Sequence, residues 1–378
     1  MVSSIPNWRE VKLGDVCSFS TKKTDVNCLS LDNYISTENM LPNRAGICRS
    51  SSLPNIYQTI AFDVQDILVS NIRPYFKKIW YATYNGGCSN DVLVIKAKKD
   101  IDTKFLYYIL SDDKFFDYAT ATAKGTKMPR GDKVAIMKYH ISLPPVEVQR
   151  KIAGVLGALD DKIELNNKIN QNLELPAQAL FCENLHKKSY PIKPLFDVAT
   201  IKYGKGLPTN KLTKNGYKVF GGNGIIGHYS EYLYEQPQIL ISCRGAASGT
   251  ILESHPFCYV TNNSLVVELT DRRYYEFLKR YLLLNQLHSY ATGSAQPQIT
   301  IDNLKGVEIP YPEYEDIKSL SEALLSISKN SYQNLCENEK LSTLRDVLLP
   351  KLMSGEIDVS QVDISAITST DKLSFTEV

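Results

Sequence analysis

No apolar run in the 378-residue chain approaches the ~20 residues of a membrane-spanning helix. The opening Met1–Arg9 stretch has neither the charged start nor the apolar core of a secretory signal. The eight cysteines form no C-x-x-C pair and have irregular spacings, which argues against a zinc ribbon or a redox dithiol. Free, reduced thiols in a cytoplasmic protein are the expectation. Five scattered histidines give no metal-ligand spacing, so no metal site is expected. There is no dinucleotide fingerprint, no P-loop and no H-E-x-x-H, and no Asn-Pro-Pro-Tyr-like tetrad for a flipped adenine. These absences argue against a nucleotide hydrolase, a zinc protease and a self-contained adenine methyltransferase. Charge is nearly balanced, with 43 Lys and Arg against 41 Asp and Glu. A net +2 falls short of the strongly basic balance of many nucleic-acid binders, so charge alone does not name the partner.

What the chain does have is a repeat. Ile67-Leu68-Val69-Ser70-Asn71-Ile72-Arg73 returns as Ile239-Leu240-Ile241-Ser242-Cys243-Arg244, displaced by 172 residues. Phe105-Leu106 returns as Phe277-Leu278 at the same displacement. Ser89-Asn90 matches Thr261-Asn262, Gly125-x-x-x-Pro129 matches Gly293-x-x-x-Pro297, and Ile141–Pro144 matches Val307–Pro310 with small slips. A period this long is not a solenoid but two copies of one domain-sized module. Residues between the anchors differ, so the copies share a frame but not a surface. Tyrosine is abundant, 23 against 12 Phe and 2 Trp. That suits half-wet binding faces, although an AT-rich genome gives the same count.

Each module reads as mixed and β-rich. Ile67–Ser70, Val92–Lys96, Gln238–Ser242 and Leu265–Leu269 have strand length and β-branched content. Thr103–Leu110 and Tyr274–Asn285 read as helices, and Asn85–Gly87 and Gly221–Gly224 as turns. After each module the apolar spacing changes to steps of three and four. Ile152, Val155, Leu159, Ile163, Asn166 and Ile169 form one seam, and Leu320, Leu324, Ile327, Leu341 and Leu348 the other, with a polar middle. Pro144-Pro145 and Pro310-x-Pro312 stand before the helices, as suits a helix start. Pro176 is expected to end or kink the first helix near Glu174, and Pro350 to end the second. Each helix of about 28–35 residues would be roughly 40–50 Å long. Paired antiparallel, the two would act as a ruler between two DNA-reading globules about one duplex turn apart.

The fold class that follows is α+β: two repeated β-rich globules separated by two long helices pairing as an antiparallel coiled coil. The expected boundaries are 1–145 for the first globule, 146–186 for the first helix and 187–311 for the second globule. The C-terminal helix is expected at 312–352 and a tail at 353–378.

Three stretches carry a family resemblance: Trp8–Val16; Leu143-Pro144-Pro145-Val146-Glu147 with Gln149-Arg150-Lys151-Ile152-Ala153 and Leu159–Ile163; and Leu344–Ile357. Together with the duplication, they resemble the specificity subunit of a type I restriction-modification system. The resemblance implies a non-catalytic chain in which each globule is a target recognition domain for one half of a bipartite sequence in double-stranded DNA. It implies helices that set the gap and dock two methyltransferase subunits, with motor-nuclease subunits joining. It implies no cofactor in this chain, S-adenosylmethionine belonging to the methyltransferase subunit. Against the family pattern, Pro176 interrupts the first helix, and Tyr314–Ile317 is a degenerate second helix start.

Within that frame the candidate DNA contacts are Lys124, Lys127, Arg130 and Lys133 around Gly125 and Pro129, against the rival reading of a solvated loop. In the second copy the same loop offers Gln296 and Gln298, suited to adenine, or to a plain turn. Arg73, with Lys77 and Lys78 flanking Pro74-Tyr75-Phe76, and Arg244, taken as the equivalent of Arg73, follow buried strands. Pairing to an acidic residue is the rival there. Asn223 in the glycine turn is a weaker candidate. Asn90 and Asn262 read as turn residues that satisfy backbone groups. Asp160-Asp161 reads as a solvated or partner-facing helix face, not a catalytic pair. The competing functional class is a coiled-coil adaptor, or an orphan DNA-binding protein without active partner subunits.

Overall fold

The computed structural model describes residues 8–187, 189–293, 296–359 and 362. The chain divides into two compact units, Met1–Leu165 with Cys336–Val378, and Asn166–Leu335.

The first unit opens with β1 (Arg9–Lys12), the one-turn helix α1 (Leu13–Val16), β2 (Cys17–Phe19), β3 (Lys23–Asp25), β4 (Tyr34–Ile35) and β5 (Gln58–Phe62). Then come β6 (Ile67–Ser70), β7 (Ile79–Tyr81), β8 (Gly86–Cys88) and β9 (Val92–Ala97). Helices α2 (Thr103–Ser111), α3 (Asp113–Ala121) and the single turn α4 (Lys133–Ile136) lead to β10 (His140–Leu143) and the long α5 (Val146–Lys187). Each of α2, α3 and α4 starts on an Asp cap, at Asp102, Asp112 and Asp132, whose carboxylate takes an otherwise orphaned backbone N–H.

The central sheet has the order β2-β9-β6-β7, and a second sheet has β3-β5-β8-β4. Alternation in the buried strands divides the core. Ile67, Val69, Leu93 and Ile95 face α2 and α5, whereas Leu68, Val92 and Val94 pack on Phe62, Ile35 and Cys88 of the second sheet. Gly86 and Gly87, expected in a turn, form a strand instead. A Cβ on Gly86 would sit 2.1 Å from the Asn33 carbonyl oxygen, so these glycines serve close sheet packing.

The second unit repeats the scheme with β11 (Ile192–Pro194), the single turn α6 (Leu195–Val198), β12 (Ala199–Tyr203), β13 (Tyr217–Gly221) and β14 (Gly224–Tyr229). β15 (Ile239–Ser242), β16 (Ile251–Glu253), β17 (Tyr259–Val260), β18 (Ser264–Leu269), α7 (Tyr275–Leu284), β19 (Glu308–Pro310) and the long α8 (Tyr314–Met353) follow. Its central sheet, β12-β18-β15-β16, keeps the order of the first. Ile239 and Ile241 again face the helices, and Leu240 packs on Phe220 and Val260 of the other sheet. The second sheet diverges, as do the helices, α7 being followed by 3-10 turns where the first unit has α3 and α4. β14-β13-β17 retains one parallel pair, as β4 and β8 do, but replaces the other strands with a β13–β14 hairpin.

The long helices complete both cores. In the first unit Ile152, Ala153 and Leu156 of α5 are buried with Leu349 and Leu352 of α8. In the second, Ala177 and Phe181 of α5 are buried with Ile317, Leu320 and Leu324 of α8. The helix segments run antiparallel within each unit: Asp160 meets Arg345 and Lys162 meets Glu337 in the first. Leu159, Asn166 and Leu341 are buried; Val155, Ile163, Ile327 and Leu348 are half-buried. Ile169 does not line the seam but is 37% exposed, because the stride from Asn166 reaches Asn170. Asn170 donates to the Ser331 carbonyl at 3.1 Å and accepts from Asn334 at 2.8 Å.

Both helices also outrun their expected ends, since α5 has 42 residues and α8 has 40. Pro176 stays inside α5 because its ring and the carbonyl it orphans lie on the exposed face, while Ala177 and Phe181 hold the following turns in the core. Pro350 is likewise exposed between buried Leu349 and Leu352.

Polar clasps orient each helix on its globule. Gln149 is buried, donating to the Pro144 carbonyl and accepting from the Asp102 N–H at the start of α2. Where the second helix start is degenerate, Tyr274 stacks on Tyr311 with centroids 4.2 Å apart and donates to the Pro312 carbonyl. Asp160 is half-buried and bonded within the unit rather than solvated: it accepts from Tyr108 at 2.6 Å and from Arg345 at 2.7 Å. Asp161 remains on the exposed face, paired with Lys104. The repeat-equivalent of Tyr107-Tyr108 is Lys279-Arg280. There buried Lys279 binds Glu253 and Glu276, and Arg280 binds Glu174. Burial opposes the charge on Arg345, but the adjacent Asp160 and Asp346 outweigh it and raise its pKa.

Arg345→Ala is expected to lower stability by about 2 kcal/mol, between exposed and buried ion pairs, as measured by urea denaturation. An unchanged midpoint would show that Asp160 needs no counter-charge. Burial, then the charge of Asp160, pushes Tyr107 up from its ordinary value of 10.0 to about 12. An acid raised on folding contributes stability that is present below pH 10 and lost between about 10 and 12. Tyr107→Phe should make the alkaline fall in thermal melting less steep, with other raised tyrosines such as Tyr108 and Tyr139 supplying the rest, and an equally steep fall would show that Tyr107 contributes none of it.

Candidate nucleic-acid interface

At the ends of β6 and β15 the chain builds one device twice. In the first unit the Arg73 N–H donates to the Pro129 carbonyl at 2.8 Å and the Gly131 N–H to the Asn71 carbonyl at 3.0 Å. In the second, Gly245 donates to Pro297 at 2.9 Å and Ile299 to Cys243 at 3.0 Å. The loop itself is closed reciprocally, Lys124 with Arg130 and Thr292 with Gln298, at 2.8–2.9 Å. Gly125 and Gly293 turn it, at φ +92° and +95°. Ser294 and Ala295 at its tip lie outside the described residues.

This pattern corrects one alignment. Arg73 stands opposite Gly245, both left-handed at φ 49° and 77°, so Arg244 occupies the place of Ile72. The bend requires positive φ, which glycine adopts freely and arginine adopts with strain. Six non-glycine residues of the first unit adopt positive φ among the described residues, and four of them, Asn43, Arg44, Arg73 and Lys77, meet at this bend. The Asn43 N–H donates to the Phe76 carbonyl, and Arg44 to Lys77, at 2.8 and 2.9 Å. At about 1–3 kcal/mol each, such conformations persist only where the surroundings over-determine them.

The cations of the first unit fall into two sets. Lys124 pairs with Asp132 at 2.6 Å, and Arg130 forks onto Asp91. Hydrogen bonds from Lys124 and from the Ala135 and Val134 N–H groups hold the Asp132 carboxyl below its usual pKa. Lys77 binds Asp113 at 2.7 Å, as does Arg44. Lys78 turns inward to the Thr37 carbonyl at 2.6 Å, and burial lowers its pKa, so it is a structural cation rather than a surface one. The buried Nε of Arg73 has no hydrogen-bond partner among the described residues. Lys127 and Lys133 are exposed and form no ion pair there. Exposed pairs such as Lys124–Asp132 are weak because water screens them, so a phosphate can take the place of the carboxylate.

The second unit carries amides where the first carries charge. Gln298 replaces Arg130, Gln296 replaces Met128, and all of Arg244, Gln296 and Gln298 are exposed. The Gly222-Asn223 turn of the β13–β14 hairpin lies over the end of β15. A Cβ on Gly222 would be 3.0 Å from the Asn263 carbonyl oxygen and 3.2 Å from the Ser242 hydroxyl. Asn223 is exposed at that edge. Asn90 and Asn262 make no side-chain hydrogen bond among the described residues. Ser89 bonds the turn instead, accepting from the Asp91 N–H at 3.3 Å.

Sequence reasoning passed over Tyr75 and Phe76, which it treated as a spacer between cations. The two residues are 47% and 38% exposed, and Met128, next to the Pro129 that accepts from Arg73, is 49% exposed. The only signal was an aromatic pair following Pro74. Among the described residues no group of His, Cys, Asp and Glu could hold a metal, and no helix is long and apolar enough to cross a membrane.

A duplicated scaffold that presents two differently lined loop surfaces defines a two-site recognition protein. The type I restriction modification DNA specificity domain matches residues 6–175 and again 188–335, and the chain belongs to that family. It is a specificity subunit for DNA target recognition, the non-catalytic component of such systems. The HindI specificity subunit of Haemophilus influenzae is 24% identical over 93% of this chain and 100% of its own length. The EcoDI specificity subunit of Escherichia coli is 30% identical over 39% of this chain and 34% of its own. The S subunit of a type I system from M. genitalium shares the fold, with a TM-score of 0.61 at 18% identity over 93% of this chain and 98% of that one.

Replacing Lys127 and Lys133 together by Ala should weaken DNA binding for all sequences and reduce the slope of log affinity against log salt by about 1–2. Lys78→Ala should instead lower the melting temperature. An unaltered slope in the double variant would place that loop off the phosphate path.

Proposed function

We infer that each unit reads one half of a bipartite DNA target, the first through its cationic 124–133 loop and Arg73 turn, the second through Arg244, Asn223, Gln296 and Gln298. The observation that carries this reading is the loop built twice on one hydrogen-bond pattern but lined differently. The backbone pattern sets where a duplex is met; the side chains set which bases are accepted. Amides in the second unit suit the N6 and N7 edge of adenine.

Family membership supports the remaining parts of the reading. The long helices dock two methyltransferase subunits, which carry S-adenosylmethionine and methylate adenine, and motor-nuclease subunits join that core in the cytoplasm. Helix length fixes the number of unread base pairs between the half-sites.

Co-expression with the methyltransferase partner, followed by genome-wide mapping of methylated adenine, should give a split motif with a constant gap. Exchanging residues 20–140 should change one half only, and a change in both halves would refute the two-module reading. Matched seven-residue insertions after Leu165 and Leu335 should lengthen the gap by about 3 base pairs, from ~1.5 Å per helical residue and ~3.4 Å per pair. A constant gap would remove the helices as the ruler.

A further inference from the structure

We propose that the first unit deforms its half of the target by pressing Tyr75 and Phe76 between base pairs as an aromatic wedge, and that the second unit leaves its half stacked. The proposal rests on the reading that each unit binds one half-site. It adds how the first half is selected.

The rings stand on a short 3-10 turn, Pro74–Phe76, whose proline is buried and whose centroids lie 4.8 Å apart. The turn is fastened at both ends. Arg73 donates to Pro129, Phe76 to Arg73 and Lys77 to Pro74, while Asn43 and Arg44 donate to the Phe76 and Lys77 carbonyls. Beneath it, Asp113 at the start of α3 holds both Lys77 and Arg44. Exposed aromatic rings on a mobile loop would be unremarkable. Rings held out by this many backbone bonds are preorganised, so little entropy is lost when they enter a stack. The 124–130 loop is joined to the turn through Arg73 and Pro129, and its Lys127 and Met128 are exposed. Apolar or aromatic side chains beside cations form the chemistry of base-step insertion.

The repeat supplies the comparison. Residues 73–77 correspond to Gly245-Ala246-Ala247-Ser248-Gly249, where Ser248 donates to the Gly245 carbonyl as Phe76 does to that of Arg73. Both left-handed positions there are glycine, at φ 77° and 92°. Alanine and serine stand at the ring positions, and Ser248 is buried against the Pro297 carbonyl. The fold therefore makes this turn without strain when nothing is to be presented. In the first unit arginine and lysine hold the left-handed positions, and two rings project. Insertion there would favour flexible pyrimidine–purine steps, so specificity would arise at positions without a hydrogen bond to a base.

The test uses the full chain assembled with its methyltransferase subunits, on a duplex carrying the mapped motif and end-labelled for energy transfer. The wild type should bend the duplex by tens of degrees. Thymines of the first half should become reactive to permanganate beyond any base opened by the methyltransferase in both halves. Y75A/F76A should straighten the duplex, quench those thymines and weaken binding by about 10-fold or more, leaving the second half unchanged. Y75F/F76Y should retain the bend. A double variant that binds with the same bend and the same reactivity overturns the wedge but leaves the bipartite reading intact. Should the double variant not assemble, Y75A and F76A are scored singly by the same criteria. If the wild type shows no preference for any split motif, the bipartite reading itself fails.

Discussion

The burial of α5 and α8 against two β globules is the constraint on which the rest depends. A four-stranded sheet with Ile67, Val69, Leu93 and Ile95 on one face cannot leave that face in water, and Ile152, Leu156, Leu349 and Leu352 are part of its cover. The second unit meets the same need with Phe181, Ile317 and Leu324. At about 1.5–3 kcal/mol for each fully buried aliphatic side chain, these contacts dominate the polar ones. Neither helix belongs to one unit alone, since each contributes turns to both cores.

Apolar burial fixes depth but not azimuth, and the polar clasps supply the latter. Tyr108, Asp160 and Arg345 do this in the first unit, and Lys279, Arg280, Glu276 and Glu174 in the second. Equivalent positions carry a tyrosine pair in one copy and a cation pair in the other. The chemistry of the clasp has diverged while its place in the fold has not. A long-helix segment from one unit would therefore bring the wrong partner to α2 or α7 of the other.

Once the cores and helices are fixed, the loops after β6 and β15 are free to vary in everything except their backbone bonds. That freedom has been used unequally. At this bend the second unit keeps glycine at both positive-φ positions and lines the neighbouring loop with amides; the first accepts left-handed Arg73 and Lys77 and carries charge and aromatic rings. The two copies thus share the backbone of this bend and differ in what lines it.

The duplication, the buried strands, the helical seams and the family were legible because each is a pattern of residue type along the chain. Ile67–Ser70 is a strand as its apolar run predicts, and Thr103–Ser111 a helix. Pro176 misled because local propensity cannot show that the exposed face bears the defect while Phe181 anchors the next turn. Arg244 was matched to Arg73 on letters, whereas backbone hydrogen bonds and the sign of φ match Gly245. Lys78 read as surface charge, but a carbonyl from Thr37, distant in sequence, draws it inward. The sequence by itself determined the two modules, their buried strands and the helices that follow them, because hydrophobic periodicity is local. Only the tertiary structure decided which cations face solvent, which glycines pack rather than turn, and which rings are held out, because each depends on groups far along the chain that meet only after folding.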